Sequence, residues 1–277
     1  GYNVSKIDLV NESGKMRPGD ILVIGGLNTD LSQTEAEAAW NFIDNGGNMM
    51  VLFDYSENTY PVFEEFLDKY KITVPQGVIY ERSPNYRYDQ RYKNVIINDK
   101  SEHEILQGIN ENNQIILPDV QPVEVKDVNV STGELTFGPY HGTVSMLISS
   151  STTSYIKQDD TTTDYMPGDK TGPFATGLAY ELSQTTDLRS RIVLFGTTNL
   201  YYYAAANLPG DFGLLINSFN WLADRGTLDI PSKSIQPSTL NIRNITTLKV
   251  VAFIVIIVIP ILILGMGLFV WIRRKNR

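Results

Sequence analysis

DILVIGGLNTDLSQTEAEAAWNFIDNGGNMMVLFDY, residues Asp20–Tyr55, decides the fold. Asp20–Gly26 is a short apolar run closed by two glycines, the pattern of a buried parallel strand. Ser32-Gln33-Thr34-Glu35 follows as a capping box: the Ser32 hydroxyl accepts from the amide three residues on, and Glu35 reaches back to the Ser32 amide. Ala36, Ala39, Trp40 and Ile43 then recur at helical spacing and form one apolar face. Gly46-Gly47 supplies the left-handed residue that ends the helix, and Asn48–Phe53 (NMMVLF) is the next buried strand. Strand, helix and strand at these lengths predict a βαβ unit and a parallel sheet.

Working outward, Pro61 opens a second helix with Phe63, Phe66, Leu67 and Tyr70 on one face. From about residue 73 to 180 the pattern changes to short strand-like pieces, Val95–Ile97, Ile115–Leu117 and Val144–Ile148, between polar loops. Ser149–Asp169 is rich in Ser, Thr and Asp. Its aspartates Asp159, Asp160, Asp164 and Asp169 lack the DxDxDG order of a calcium loop, so a solvated loop is expected. The α/β signature returns in Arg191–Gly196 (RIVLFG), a third buried strand. Leu214–Leu222 (LLINSFNWL) is then an apolar helix, closed by Gly226, of the kind that lies against a sheet. The expected fold class is α/β, a parallel sheet with a β-rich middle section; there is no internal repeat.

Pro231, Pro237 and a Ser/Thr/Asn-rich stretch lead into Val250–Ile272, VVAFIVIIVIPILILGMGLFVWI, which holds no charged residue and no histidine. A helix rising about 1.5 Å per residue crosses the roughly 30 Å hydrocarbon core in about 20 residues, so this run predicts one C-terminal transmembrane helix. Trp271 sits at interfacial depth, and Arg273, Arg274, Lys275 and Arg277 mark the cytoplasmic end. The predicted organisation is an extracytoplasmic α/β domain over 1–226, a juxtamembrane linker over 227–247, a transmembrane helix over 248–272 and a basic cytoplasmic tail over 273–277. That places the protein in the cytoplasmic membrane with its main domain outside. Pro260, Gly265 and Gly267 permit close helix contact, and the run carries no charge, so it reads as an anchor or packing partner rather than a relay. The chain starts at Gly1 with no leader or upstream span, and an exported domain is expected to have further sequence before it.

The net charge of −8 comes from 31 acidic and 23 basic residues. Five basic and no acidic residues fall in 248–277, which leaves 18 basic against 31 acidic, a net −13, for the rest. Such a domain is not expected to bind nucleic acid or to lie flat on anionic lipid. The absence of cysteine excludes catalytic thiols, disulfides, iron–sulfur clusters and Cys-ligated zinc. His103 and His141 lie in no HExxH motif or carboxylate cluster, and both read as loop or strand-edge residues. Gly168–Gly172 does not make a phosphate-binding Walker loop, and no GxSxG elbow is present. No catalytic residue, cofactor or metal is expected, and the chain does not read as an enzyme.

Ligands of open α/β sheets favour the carboxyl ends of the strands. That rim holds Asn28 and Thr29, Asp54 and Tyr55, and Thr197, Thr198 and Asn199. The set has no nucleophile–base pair. It suits hydrogen bonding to a sugar or a peptide better than catalysis, and it equally suits ordinary loop capping; both readings stand. Gly25-Gly26 reads as a tight strand-to-helix turn before it is a phosphate site. Tyr86, Tyr88 and Tyr92, interleaved with Arg87, Arg91 and Lys93, are a candidate aromatic interface for glycan or protein, against the plain reading of an edge strand with exposed tyrosines. Tyr201-Tyr202-Tyr203 fits either a packed turn or an exposed patch.

Taken together, Asp20–Tyr55, with its DLS and GG blocks, resembles the corresponding strand–helix–strand of the GldG family, auxiliary proteins of gliding-motility-type ABC transporters. RIVLFGTTN (Arg191–Asn199) and LLINSFNWLADR (Leu214–Arg225) are similar to that family's closing strand and its NxxNWL helix, and Ile235–Leu240 with the single span and basic tail is similar to its C-terminal end. The likeness covers most of the chain and is loose over 80–180. It implies a flavodoxin-like or glutamine-amidotransferase-like domain without catalytic residues, an upstream span and first strand, and two partners, a multi-span permease and a separate ATPase. Relatives tend to carry an acidic residue after the closing strand where this chain has Thr197-Thr198-Asn199. The expected function is a non-catalytic, membrane-anchored accessory subunit of an ABC transporter that contacts the permease or presents substrate. The alternative is a stand-alone glycan- or peptide-binding surface protein.

Overall fold

A computed structural model describes residues 2–89, 91–97, 99–110, 113–129, 132–158, 162–184, 188–205 and 208–225, and the isolated positions 257, 260, 261, 265, 266, 271 and 274. The chain divides into two units, Gly1–Ser234 and Ile235–Arg277. In the first, the strands are β1 (Ile21–Gly25), β2 (Asn48–Leu52), β3 (Ile72–Thr73), β4 (Val78–Glu81), β5 (Asn94–Ile96), β6 (Asp99–Lys100), β7 (Ile116–Pro118), β8 (Glu124–Val125), β9 (Glu134–Phe137), β10 (Tyr140–Ser149), β11 (Ser154–Lys157), β12 (Ala175–Gln184) and β13 (Arg189–Phe195). The helices are α1 (Leu9–Glu12), α2 (Gln33–Asp44), α3 (Pro61–Asp68), α4 (Asn199–Ala205) and α5 (Pro209–Leu222).

The βαβ unit forms as its sequence predicts. β1 pairs parallel with β2, Ile21 opposite Asn48 through Gly25 opposite Leu52. α2 makes the crossover. Its capping box is complete: Glu35 N–H donates to the Ser32 hydroxyl (3.2 Å), and Ser32 N–H donates to the Glu35 carboxylate (2.8 Å). After Asp44 the chain turns through Gly46 at φ 84°, a conformation only glycine adopts without strain. β13 lies parallel on the other side of β2, Ile192 opposite Met49 through Phe195 opposite Leu52.

The sheet is not parallel throughout, which corrects the expectation from sequence. Beyond β13 it continues antiparallel through β12 and β10, with β9 and β6 also on β10. Among the described residues this is a seven-stranded mixed sheet of order β1-β2-β13-β12-β10-β6 with β9 beside β10. Part of the β-rich middle section (β6, β9, β10 and β12) is thus the other half of the same sheet, whereas β4 with β11, β3 with β8 and β5 with β7 form three separate two-stranded sheets. β12 is amphipathic with period two: Leu178, Tyr180 and Leu182 face one core, and Ala179 faces the other. A strand of that kind, a few residues before β13, pairs back on it as a hairpin. β1 also departs from expectation. It is an edge strand with Val23 40 % exposed, because only one of its faces is fully covered.

Alternation along the central strands feeds two cores. Met49, Val51, Ile192 and Leu194 point to α2 and α3, whereas Met50, Leu52, Val193 and Phe195 point to α4 and α5. Each such side chain contributes about 1.5–3 kcal/mol by leaving water. On the first side an aromatic chain runs from Trp40 on α2 to Phe66 on α3 (5.9 Å between centroids), to Tyr70 (5.8 Å), and on to Phe137 and Tyr140 (6.4 Å each). It locks the helices onto the β9–β10 hairpin.

Three local expectations change. Ser149–Asp169 contains a strand, β11, paired with β4, and Asp169 forms a 2.8 Å ion pair with the buried Lys157; Asp159 and Asp160 lie outside the described residues. α5 starts at Pro209, ahead of Leu214, and closes through Asp224 at φ 52°, with Gly226 outside the described residues. Asn199–Ala205 is helical, so Tyr201 and Tyr202 sit on α4. Among the described residues no helix is long and apolar enough to cross a membrane. The span predicted over 248–272, the linker and the basic tail lie outside the described residues apart from the isolated positions, which include Trp271 and Arg274.

Candidate functional site

β1, β2 and β13 bring their carboxyl ends to one edge, but the seven predicted rim residues do not converge there on a common point. The Asp54 carboxylate accepts from the Thr198 amide (2.7 Å) and from its hydroxyl, tying the end of β2 to the β13–α4 turn. The buried Thr197 hydroxyl donates to Pro118 O (2.9 Å) and accepts from Asn199 N–H (3.0 Å) at the start of α4. These contacts hold the loops together. Asn28 and Thr29 are exposed between β1 and α2. Tyr55 turns away: its hydroxyl donates to Gln158 O (2.6 Å) and its ring packs on Val78, Tyr80 and Tyr155.

Asp30, in the same turn as Asn28 and Thr29, has a role that its sequence position does not announce. Tyr60, at the N-cap of α3, offers no side-chain cap. Asp30 replaces it across the fold, accepting from Val62 N–H (2.8 Å) and Phe63 N–H (3.0 Å). Asp30→Ala is expected to lower stability by about 1–2 kcal/mol through loss of this cap. An unshifted urea midpoint would show that the cap contributes nothing.

α3, so held, forms one wall of a cleft of about 580 Å³ beside Asp54. Binding sites for small ligands span roughly 300–1,000 Å³. The buried base is Phe53, Phe63, Leu67 and Ile72; Asp54, Glu64, Glu65 and Asp68 stand along it, and Lys126 pairs with Asp68 at 3.0 Å. Gln121 lines the cleft and is only 3 % exposed. Its backbone is fixed by donation from its N–H to Gly196 O (2.7 Å). Of the predicted rim, Asp54 alone lines this cleft. Glu64 was legible as the polar face of an amphipathic helix. Gln121 carries no sequence signal, because it reaches the site only through its backbone contact with the end of β13.

The basic-aromatic stretch is a short 3₁₀ turn, Pro84–Tyr86, and a loop rather than an edge strand. Tyr92 is half-buried against Tyr80 and Tyr155, with the Arg87 guanidinium 4.3 Å over its ring, and Lys93 lies 5.5 Å over Tyr80. Tyr86 is half-buried, and Tyr88 is 50 % exposed. The cations are therefore largely turned onto the protein's own rings. Glu81 beneath them is fully buried and accepts from Ser151 Oγ (2.6 Å), Thr153 Oγ1 (2.6 Å) and Ser83 N–H (2.7 Å), a satisfied structural carboxylate.

Neither histidine lines the cleft. His103 Nδ1 accepts from Ile105 N–H (3.2 Å), its ring meets Trp221 edge-on (5.1 Å), and burial holds its pKa below the ordinary value. His141 lies exposed on β10, 3.3 Å from Thr136 Oγ1. The two asparagines of the NxxNWL segment are structural: Asn217 donates to Ile105 O (3.0 Å) and Gln107 O (3.1 Å), and Asn220 accepts from the Tyr2 hydroxyl (2.9 Å).

No family model matches the chain. No curated protein matches it either. Among solved structures it is similar to the mmIFT52 N-terminal domain, at 13 % identity and a TM-score of 0.56, over 79 % of this chain and 83 % of that one. That likeness shows a shared mixed α/β fold. A ThuA-like protein from Bacteroides uniformis is similar over 78 % of this chain and 75 % of that one, at 15 % identity and a TM-score of 0.38.

Proposed function

We propose that the chain is a non-catalytic, membrane-anchored accessory subunit of an ABC transporter of the GldG type. Its outer domain is a flavodoxin-like or glutamine-amidotransferase-like α/β domain, and its partners are a multi-span permease and a separate ATPase. The observation that carries the non-catalytic part is the occupation of the strand-end rim by loop contacts. Asp54 is bonded to Thr198 and Thr197 to Pro118, so the carboxylate and hydroxyls of the rim are used in tying loops together. The uncharged run at Val250–Ile272 and its basic end support the anchor, and the motif order along the chain supports the partners.

Mild-detergent co-purification from the native host, with mass spectrometry of what accompanies the chain, tests this reading. The expected result is a permease and an ATPase at fixed ratio. Recovery of the chain alone at native expression would sink it. The second reading, a stand-alone binding protein, is favoured in its peptide form by the cleft beside α3. Its glycan form is weakened by the burial of Tyr92 within the aromatic lobe.

A further inference from the structure

We propose that the open edge of β1 is a dimer contact, at which β1 pairs antiparallel with β1 of a second copy of this chain and joins the two mixed sheets. This assignment goes beyond the transporter reading and does not depend on it. The edge is unguarded. Asn48 N–H donates to Asp20 O and Gly26 N–H to Leu52 O, which sets the phase of the β1–β2 ladder: the even-numbered residues of β1 bond to β2. Ile21, Val23 and Gly25 therefore turn their N–H and C=O groups outward, and among the described residues no partner meets them. Proteins that keep a sheet edge free protect it with a charge, a proline or a bulge. Ile21–Gly25 has none of the three.

The neighbouring helix face is uncharged as well. α5 carries one charged residue, Asp211, which is fully buried, and its partly exposed surface includes Phe212, Leu215, Ile216 and Phe219. Asn217, bonded to Ile105 O and Gln107 O, marks the side of α5 turned onto the domain. Phe212, Leu215 and Phe219 lie on the opposite side of the helix, and Leu215 and Phe219 pack on the same core as Ile21 and Tyr201. A helix that is apolar all round is normally covered all round.

Charge and symmetry select the occupant. Residues 1–247 carry 18 basic against 31 acidic residues, a net −13, so two copies repel one another except where charge is missing. The β1 edge and the outer face of α5 are such a place. The outward residues are also symmetric about Val23. A two-fold axis there sets Val23 opposite Val23 and Ile21 opposite Gly25, in hydrogen-bonded positions, so each outward N–H meets a C=O of the other copy. Leu22 falls opposite Ile24. The large Ile21 side chain faces a glycine, where the Tyr201 hydroxyl stands 3.3 Å from the position of a Cβ, and the two 40 % exposed valines cover each other.

The test is disulfide trapping in the full-length chain, which has no cysteine of its own. Val23→Cys is expected to give a covalent dimer on mild oxidation, because the pairing sets that residue against itself within disulfide reach. Asp20→Cys, also exposed, is expected to stay unlinked, because residue 26 and not residue 20 of the other copy lies opposite it. Sedimentation of the full-length chain in detergent is the second measurement. The parent is expected to be a dimer. Val23→Lys is expected to raise its dissociation constant at least about tenfold, through like charges set face to face. Val23→Thr, β-branched and uncharged, is expected to change it by less than about threefold. A Val23→Cys chain that does not link to itself, a dimer that Val23→Lys does not weaken, or a monomeric parent would each overturn the assignment; a monomer would mean that some other strand covers the edge. If Val23→Lys does not fold, trapping alone decides. A trapped dimer that recovers no permease would leave this contact standing and remove only the transporter reading.

Discussion

Gly196→Ala is expected to destabilise the domain by about 1–3 kcal/mol, the usual cost of overpacking a close-packed site. Gly196 ends β13, and its backbone lies directly against Gln121. A Cβ there would overlap the Gln121 carbonyl oxygen and stand 3.0 Å from its carbonyl carbon. Both are backbone atoms, so no side-chain rotation relieves the clash. The nearest escape is to part the two segments, which breaks the bond from Gln121 N–H to Gly196 O (2.7 Å) and strains the one from Gly196 N–H to Thr176 O (3.1 Å). In thermal unfolding each kcal/mol lowers Tm by roughly 2–4 °C for a domain of this size. Gly14→Ala, where nothing lies within 4 Å, is the control and should change little. A Gly196→Ala protein as stable as that control would mean that the β13–Gln121 contact is loose, and the case for a positioned Gln121 would weaken with it.

The second large effect is a pH dependence set by Asp211. Its carboxyl lies in the first turn of α5 and is fully buried; Oδ1 accepts from Ile116 N–H (3.1 Å), and Oδ2 has no partner. Desolvation pushes its pKa up from the usual aspartate range to about 8, while the Ile116 amide and its own amide pull the other way. A helix N-terminus favours a carboxylate by only about 0.3–1 kcal/mol, too little to offset full burial. The native state therefore keeps a proton that the unfolded chain loses near pH 4. The stabilising contribution of that proton is complete below about pH 4. It declines as pH rises toward 8, at up to about 1.4 kcal/mol per pH unit, and is gone above the folded-state pKa. Asp211→Asn keeps the oxygen that serves Ile116 and removes the titration. The variant should match the parent near pH 4 and exceed it by a growing margin above that, up to about 5 kcal/mol at pH 8 at the full slope. Parallel stability curves from pH 4 to 9 would show that Asp211 ionises freely in the native state. His103 titrates in both proteins, so it cancels in the comparison.

Much of the fold was legible because its signals are local. The Ser32–Glu35 box, the apolar face of α2, the Pro61 start of α3 and the Met49–Leu52 strand each depend on residues within a turn or two of one another. The antiparallel half of the sheet was harder to see. Inward residues such as Leu178, Tyr180 and Leu182 are interspersed there with serines, threonines and glycines, and only the pairing of β12 with both β10 and β13 turns that weak pattern into central strands. The candidate site was legible in part. Asp54 was found by the rule that strand ends face ligands. Tyr55 was placed with it, yet its ring had a larger apolar surface to join, that of Tyr80 and Tyr155.

By itself the sequence determined the βαβ unit, the absence of thiol chemistry, the acidic surface and the uncharged C-terminal run, because periodicity, composition and caps act over a few residues. Only the tertiary structure decided that the sheet is mixed, that Asp30 caps a helix some thirty residues away, and that Gln121 lines a cleft beside α3. Those outcomes rest on contacts between distant segments. Such contacts are selected by burial of apolar surface and by pairing of every polar group buried with it, a competition that no local stretch of the chain expresses.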